Sequence, residues 1–208
     1  MLRARRDLAA AIRRGDYQPN QRLVESELSA ALGVSRATLR AVFISLELDN
    51  YIVLERNRGA RVRQFSPAEA LEILVTREIL ESAAAGLAAS RITTEECAEL
   101  EGLMRQMESA NREPNSDVYS ACNREFHARV LAAARQPTLS RFIAATPYPL
   151  VMSQYRNLET RHPREGSLRE HKAILAALTI RSREAAEAAM RLHLSQARHG
   201  LKIKLEDS

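Results

Sequence analysis

A chain of 208 residues with 45% hydrophobic and 27% charged side chains is long enough for two domains and has the composition of a folded protein, which excludes extended disorder. Its two cysteines, Cys97 and Cys122, lack C-x-x-C spacing, which argues against a disulfide framework or a thiolate zinc site and makes both small core residues. The formal net charge of +5 is uneven: residues 1–63 hold 12 Lys/Arg against 7 Asp/Glu, whereas residues 64–208 hold 19 of each, so a polyanionic partner belongs to the first third.

In chain order, Leu2, Leu8, Ala9 and Ile12 recur at helical spacing and Gly15-Asp16 ends the run, predicting a helix from Leu2 to Arg14. That opening segment has no secretory h-region, and no apolar run reaches the roughly 18–20 residues needed to span a bilayer. A cytoplasmic protein with no membrane partner is expected. Glu25 to Leu32 reads as a short helix with Leu28, Ala31 and Leu32 inward, and Gly33-Val34 as a tight turn. Ser35 can cap a following helix that buries Leu39, Val42, Phe43 and Leu46 and leaves Arg36 and Arg40, four residues apart, together on another stripe. Tyr51–Leu54 and Ala60–Val62 then read as a β-hairpin with the basic tip Glu55-Arg56-Asn57-Arg58-Gly59.

Helix, tight turn, second helix and basic hairpin together predict a winged helix-turn-helix. Its second helix would enter the major groove, where the planar fork of Arg36 or Arg40 can engage guanine O6 and N7 or a phosphate. Ser35 and Thr38 could add hydroxyl contacts. Arg56, Asn57, Arg58 and Gly59 would meet phosphate or the minor groove, with Gly59 permitting close backbone approach. Because one helix reads only a few base pairs, two-fold pairing into a homodimer on double-stranded operator DNA is expected.

Ser66-Pro67-Ala68-Glu69 starts a new helix sharply, so a boundary falls near residues 63–66, between a domain at 1–64 and one at 65–208. Ala68–Ser90, Thr94–Ala110, Asp117–Ala133, Thr138–Arg156, Ser167–Ile180 and Arg183–Lys204 all read as helices, with Thr93 and Glu96 forming a capping box. The fold class is mainly α: a winged helix-turn-helix followed by an all-α antiparallel bundle. Asn123 and His127 share one helix face, His171 starts a helix and His193 lies on the next. A bundle core can bring three imidazoles and an amide oxygen together around a divalent ion such as zinc or nickel, or each histidine can simply be hydrogen-bonded where it lies.

The run Arg22-Leu23-x-Glu25-x-x-Leu28-x-x-x-Leu32-Gly33-Val34-Ser35-Arg36-x-x-Leu39-Arg40, with Asn57-Arg58-Gly59 after it, resembles the GntR family of transcriptional regulators over nearly all of residues 2–63. The resemblance implies operator contacts by Ser35, Arg36, Thr38, Arg40, Asn57, Arg58 and Gly59. Two departures stand out: Asn20 where a turn glycine is usual, and Ala41 where glutamate is. Residues 66–204 are similar to the FCD effector domain of the FadR-type subfamily, through Arg77-x-x-x-Glu81, Asn123-x-x-Phe126-His127, Glu170-His171-x-x-Ile174-Leu175 and Met190-x-x-His193-Leu194. In that domain an aspartate and three histidines hold a metal whose coordination a small carboxylate completes. The resemblance therefore implies metal ligation by Asn123, His127, His171 and His193, with Asn123 in the aspartate position, and an effector contact from Arg77. From its spacing alone Arg77 is equally an ordinary i,i+4 partner of Glu81.

The expected function is a DNA-binding regulator, a repressor, controlled by a small organic acid. A metal-dependent hydrolase-like enzyme and an architectural DNA-binding protein with a purely dimerising second domain are the alternatives. No H-E-x-x-H, G-x-S-x-G, phosphate loop or dinucleotide fingerprint supports an enzyme.

Overall fold

A computed structural model describes residues 1–55, 59–111, 117–155 and 164–206. The chain forms two compact units. The first holds Met1–Ala70 together with residues 147–155, and the second takes up most of the remaining chain.

In the first unit, helix α1 (Leu2–Arg14) buries Ala4, Leu8, Ala9 and Ile12 on one stripe. Strand β1 (Arg22–Leu23) is followed by α2 (Glu25–Leu32) and α3 (Arg36–Leu48), and then by the hairpin strands β2 (Ile52–Glu55) and β3 (Gly59–Val62). The three strands are antiparallel in the order β1-β3-β2, with Arg22 opposite Arg61, and Ile52 opposite Val62. The two-residue β1 is not legible from periodicity. The turn before it places Asn20 at φ 62°, a left-handed conformation that glycine takes without a Cβ penalty and that asparagine tolerates, so the departure at Asn20 keeps the turn. Its backbone N–H donates to the Val62 carbonyl at 3.0 Å. Gly33, at φ 63°, makes the tight turn between α2 and α3.

The face of α3 expected to be buried is buried: Leu39, Val42, Phe43 and Leu46 are all sealed from solvent. On α2 the expectation needs one correction, because Ala31 is exposed while Leu28 is buried and Leu32 half-buried. Ala31, at i+3 from Leu28, and Leu32, at i+4, stand at opposite edges of the stripe, and here the Ala31 edge is the one open to solvent.

The second unit carries most of α4 (Pro67–Ala89), then α5 (Thr94–Ala110), α6 (Asp117–Ala133), α7 (Pro137–Ala145), α9 (Arg164–Thr179) and α10 (Arg183–Glu206). Ser66 caps α4, accepting from Glu69 N–H at 3.2 Å, and Thr93 and Glu96 make the reciprocal capping box of α5. The helices close around Leu100, Met107, Phe126, Ile174, Leu178 and Met190; Cys97 and Cys122 are buried, unbridged members of the same core. The single helix expected over Thr138–Arg156 is instead α7 and a separate α8 (Tyr148–Gln154), the latter in the first unit; Arg156 lies outside the described residues. Thr146 is extended at ψ 134°, as a residue before proline must be, and Pro147 interrupts the ladder. His171 sits in the second turn of α9, which begins earlier than expected. Among the described residues no single helix is long and apolar enough to cross a membrane.

Candidate functional site

The basic face of the first unit is built on the N-terminus of α3. Ser35 caps the helix by accepting from Thr38 N–H at 3.1 Å, and its hydroxyl lies 2.9 Å from Thr38 Oγ1, so both hydroxyls serve the cap first. Capping fixes the first turn and thereby the direction in which Arg36 leaves it. Arg36 is exposed, with no ion pair among the described residues. Arg40, one turn on, is 68% exposed but anchored through Nε to Glu25 Oε2 at 3.1 Å, a contact that does not use its terminal N–H groups. That anchor needs residues 15 positions apart to meet, so spacing could not reveal it. Arg22, exposed on β1, joins Arg36, Arg40, Glu25 and Gly59 in lining an open groove of about 680 Å³. Sequence reasoning gave Arg22 no separate role. Arg61, by contrast, is committed to the sheet, to Glu55 at 3.2 Å and the Asn20 carbonyl at 3.0 Å. Gly59 has φ 87°, which a β-carbon would strain. Arg56, Asn57 and Arg58 lie outside the described residues.

The second cluster lies in the helical unit. His127 on α6, His171 on α9 and His193 on α10 offer ligand atoms that all stand within 4.8 Å of one another. Each ring is oriented by an acceptor at Nδ1: Glu81 Oε2 at 2.9 Å for His127, the Ser167 carbonyl at 2.7 Å for His171, and Glu170 Oε2 at 2.8 Å for His193. A carboxylate or carbonyl can only accept, so each Nδ1 carries a proton, and in a neutral ring Nε2 is then left with its lone pair. The Nε2 atoms of His127 and His193 then face each other at 3.2 Å. Two lone pairs at that distance repel unless a cation lies between them, and ligand nitrogens about 2.0–2.1 Å from a tetrahedral ion have a comparable separation. Protonating a ring instead is disfavoured at His127, whose value burial, then the nearby His193 and Arg77, hold well below the ordinary 6.5. Asn123 Oδ1, one turn before His127, is buried and accepts no hydrogen bond. Three oriented imidazoles, with an orphaned amide oxygen one helical turn before the first of them, are donor types that fit a borderline divalent ion.

Behind these rings, Glu81 carries a second partner. Its other oxygen is ion-paired with Arg77, and both side chains are nearly buried, at 6% and 12% exposure. Arg77 is thus tied through Glu81 to His127. Glu78, on the same helix, holds Arg198 of α10 at 3.2 Å and fixes α4 against α10 beside the cluster. Phe126 packs edge-on against His171 at 4.9 Å and closes the apolar side. The orienting roles of Glu81, Glu170 and Ser167 go beyond what the sequence indicates; Glu170 beside His171 gives no periodic signal, since its partner lies 23 residues away.

A recognition helix with exposed basic side chains, a wing, and an appended all-helical domain define a DNA-binding regulator by class. Residues 2–62 match the bacterial regulatory proteins of the gntR family and residues 72–196 match the FCD domain. The chain belongs to the GntR family, carries an FCD domain, and is a transcriptional regulator rather than an enzyme. It is 29% identical over 191 residues to the HTH-type transcriptional repressor RspR of Escherichia coli, covering 91% of this chain and 84% of that one. It is 25% identical to the galactonate operon transcriptional repressor of the same organism, covering 94% and 93%. Among solved structures, E. coli McbR/YncC superposes with a TM-score of 0.81 at 22% identity over 98% of this chain and 97% of that one, a similarity of fold.

Proposed function

We propose that this regulator is a homodimeric cytoplasmic repressor whose operator affinity is set by a small organic acid bound beside a divalent metal ion in the helical domain. The observation that carries the reading is the convergence of three Nδ1-anchored imidazoles, and it is supported by the buried Asn123 Oδ1, which accepts no hydrogen bond one helical turn before His127. His127, His171, His193 and Asn123 would hold the ion, zinc or nickel by donor type, and its open positions would take the carboxylate of the effector. All four are neutral ligands, so the full charge of the ion remains for an anionic effector to meet. Arg77 would contact the same carboxylate while Glu81 keeps it oriented. Repression is supported by the named repressors among the relatives, and an acid effector is in keeping with the one named for a galactonate operon.

On the DNA, Ser35, Arg36, Thr38, Arg40 and the tip from Asn57 to Gly59 would make the contacts, Arg36 and Arg40 to bases and Arg58 to phosphate. An effector lowers operator affinity only if it binds the DNA-incompetent arrangement more tightly, which here means repositioning the joint near residues 63–68. The test is fluorescence anisotropy of a duplex selected by the wild type from a random-sequence pool, with metal-loaded protein titrated with sugar acids, hydroxy acids and dicarboxylates. Release by at least one acid, lost in His171→Ala, supports the reading. No response to any acid with or without metal overturns it.

A further inference from the structure

The DNA-binding unit is completed by a strap from far along the chain. Helix α8, inside the stretch that matches the FCD domain, buries Leu150 and Val151 within the first unit. Ser153 Oγ donates to the Arg13 carbonyl at the end of α1 at 2.9 Å. The next residue, Gln154, pairs with the main chain of Phe65: Phe65 N–H donates to Oε1 at 2.8 Å and Nε2 donates to the Phe65 carbonyl at 2.7 Å. Tyr155 adds its hydroxyl to the same carbonyl at 2.9 Å. The side-chain amide thus acts as a one-residue β-bridge to a partner 89 positions earlier.

Phe65 occupies the joint between wing strand β3 and Ser66, the cap of α4. Its ring is 2% exposed and lies under the Arg63 guanidinium at 4.7 Å. From there α4 runs unbroken to Ala89 and carries Arg77 and Glu81. Both backbone groups of the joint residue are therefore held by one side chain of the same unit. A β-bridge of this kind removes rotational freedom about the joint. That freedom would otherwise be lost only on DNA binding, at a cost in affinity.

We propose that Gln154, supported by Tyr155 and Ser153, is a clasp that fixes the joint between wing and α4, and so is a positioning residue for operator binding by two heads at once. The proposal rests on the dimeric reading above. A fixed joint matters when a second head must find its half-site at a set distance, and not when one head binds alone.

The test uses the full-length chain and a duplex selected by the wild type from a random-sequence pool, in two-half-site and single-half-site forms. Gln154→Leu, which fills the same space without hydrogen bonds, should bind the two-half-site duplex about tenfold more weakly and the half-site duplex as wild type does. Hydrogen exchange at the Phe65 amide should accelerate. Gln154→Glu keeps an acceptor for that amide but loses the donor to the carbonyl, and should fall between. Unchanged two-site affinity overturns the proposal, as does equal weakening on both duplexes, which marks a general loss of head stability. Should the wild type show no preference for two half-sites, the dimeric reading fails by itself. The clasp is then decided on Phe65 exchange, where an unchanged rate in Gln154→Leu overturns it.

Discussion

Replacing Glu81 by Gln probes the heart of the helical unit, because one carboxylate there serves two partners. Its oxygens meet the Arg77 guanidinium and His127 Nδ1, and both charged side chains of the pair are close to fully buried. Removing one partner of a buried ion pair costs about 3–5 kcal/mol, since a charge held out of water loses that attraction. Glutamine keeps the shape and one acceptor oxygen, which places the expected loss near the lower bound, about 3 kcal/mol. For a chain of this length that corresponds to a fall of roughly 6–12 °C in melting temperature. Thermal denaturation followed by far-UV circular dichroism, in the presence of chelator, reads this loss free of any metal contribution. The double variant Arg77→Leu/Glu81→Leu should recover part of it, because the buried ion pair is removed whole, although His127 Nδ1–H then loses its acceptor. After metal loading, Glu81→Gln should also weaken metal affinity by about 10–100-fold, as loss of the group that orients a ligand imidazole does. A chelated Glu81→Gln protein within about 1 kcal/mol of wild type, or a double variant no better than the single one, refutes this account of the pair.

Arg36→Ala and Arg40→Ala should each abolish specific operator binding while leaving the fold and the dimer intact, at about 1–3 kcal/mol per lost bidentate contact; gel shifts against the selected duplex check this. Arg58→Ala should instead weaken binding evenly across sequences and reduce the salt slope by about one unit in a titration over several salt concentrations. Asn123→Asp adds an anionic oxygen at the cluster and should tighten metal binding in a competition assay against a chromophoric chelator, and the result is refuted by equal or weaker affinity. In chelated protein, His127 stays neutral at pH values where the unfolded chain takes up a proton. The stability this group contributes is therefore present above the ordinary histidine value of 6.5 and lost as pH falls below it. Melting temperatures measured from neutrality down to about pH 5 should fall less steeply in His127→Gln, after allowance for its lower starting point.

Much of the fold was legible because its signals are local. Helix α1 ends at Gly15, α3 begins at Ser35 and α5 at Thr93, where glycine or capping chemistry marks the boundary within a few residues. The buried stripe of α3 followed from the 3.6-residue period alone. Strand β1 leaves no local signal because two residues carry no period, and its existence depends on pairing with β3 nearly 40 positions later. The break in the expected helix over Thr138–Arg156 was signalled by Pro147 and Pro149. What no local pattern could show is that the fragment beyond it packs with the first unit, since that rests on Ser153 and Gln154 meeting main-chain groups of Arg13 and Phe65.

At the sites the division is similar. Arg36, Arg40 and the three histidines could be named from spacing and resemblance, but their partners could not: Glu25 for Arg40, and Glu81, Ser167 and Glu170 for the imidazoles. These partners decide tautomer, direction and charge, and most are set by tertiary contact. Arg77 is the i,i+4 partner of Glu81, as spacing allows, while the burial of the pair against His127 is a tertiary feature that spacing does not carry.

The most direct test of the sensor is the metal content of protein purified without chelator, measured by elemental analysis before and after loading with zinc or nickel. The account predicts one divalent ion per chain, a melting temperature that falls on chelation, and loss of both in the triple variant His127→Ala/His171→Ala/His193→Ala, with His199→Ala unchanged. Wild-type protein that binds no divalent ion under either condition would contradict it, and would leave Arg77 and neutral polar groups as the means of recognising an effector.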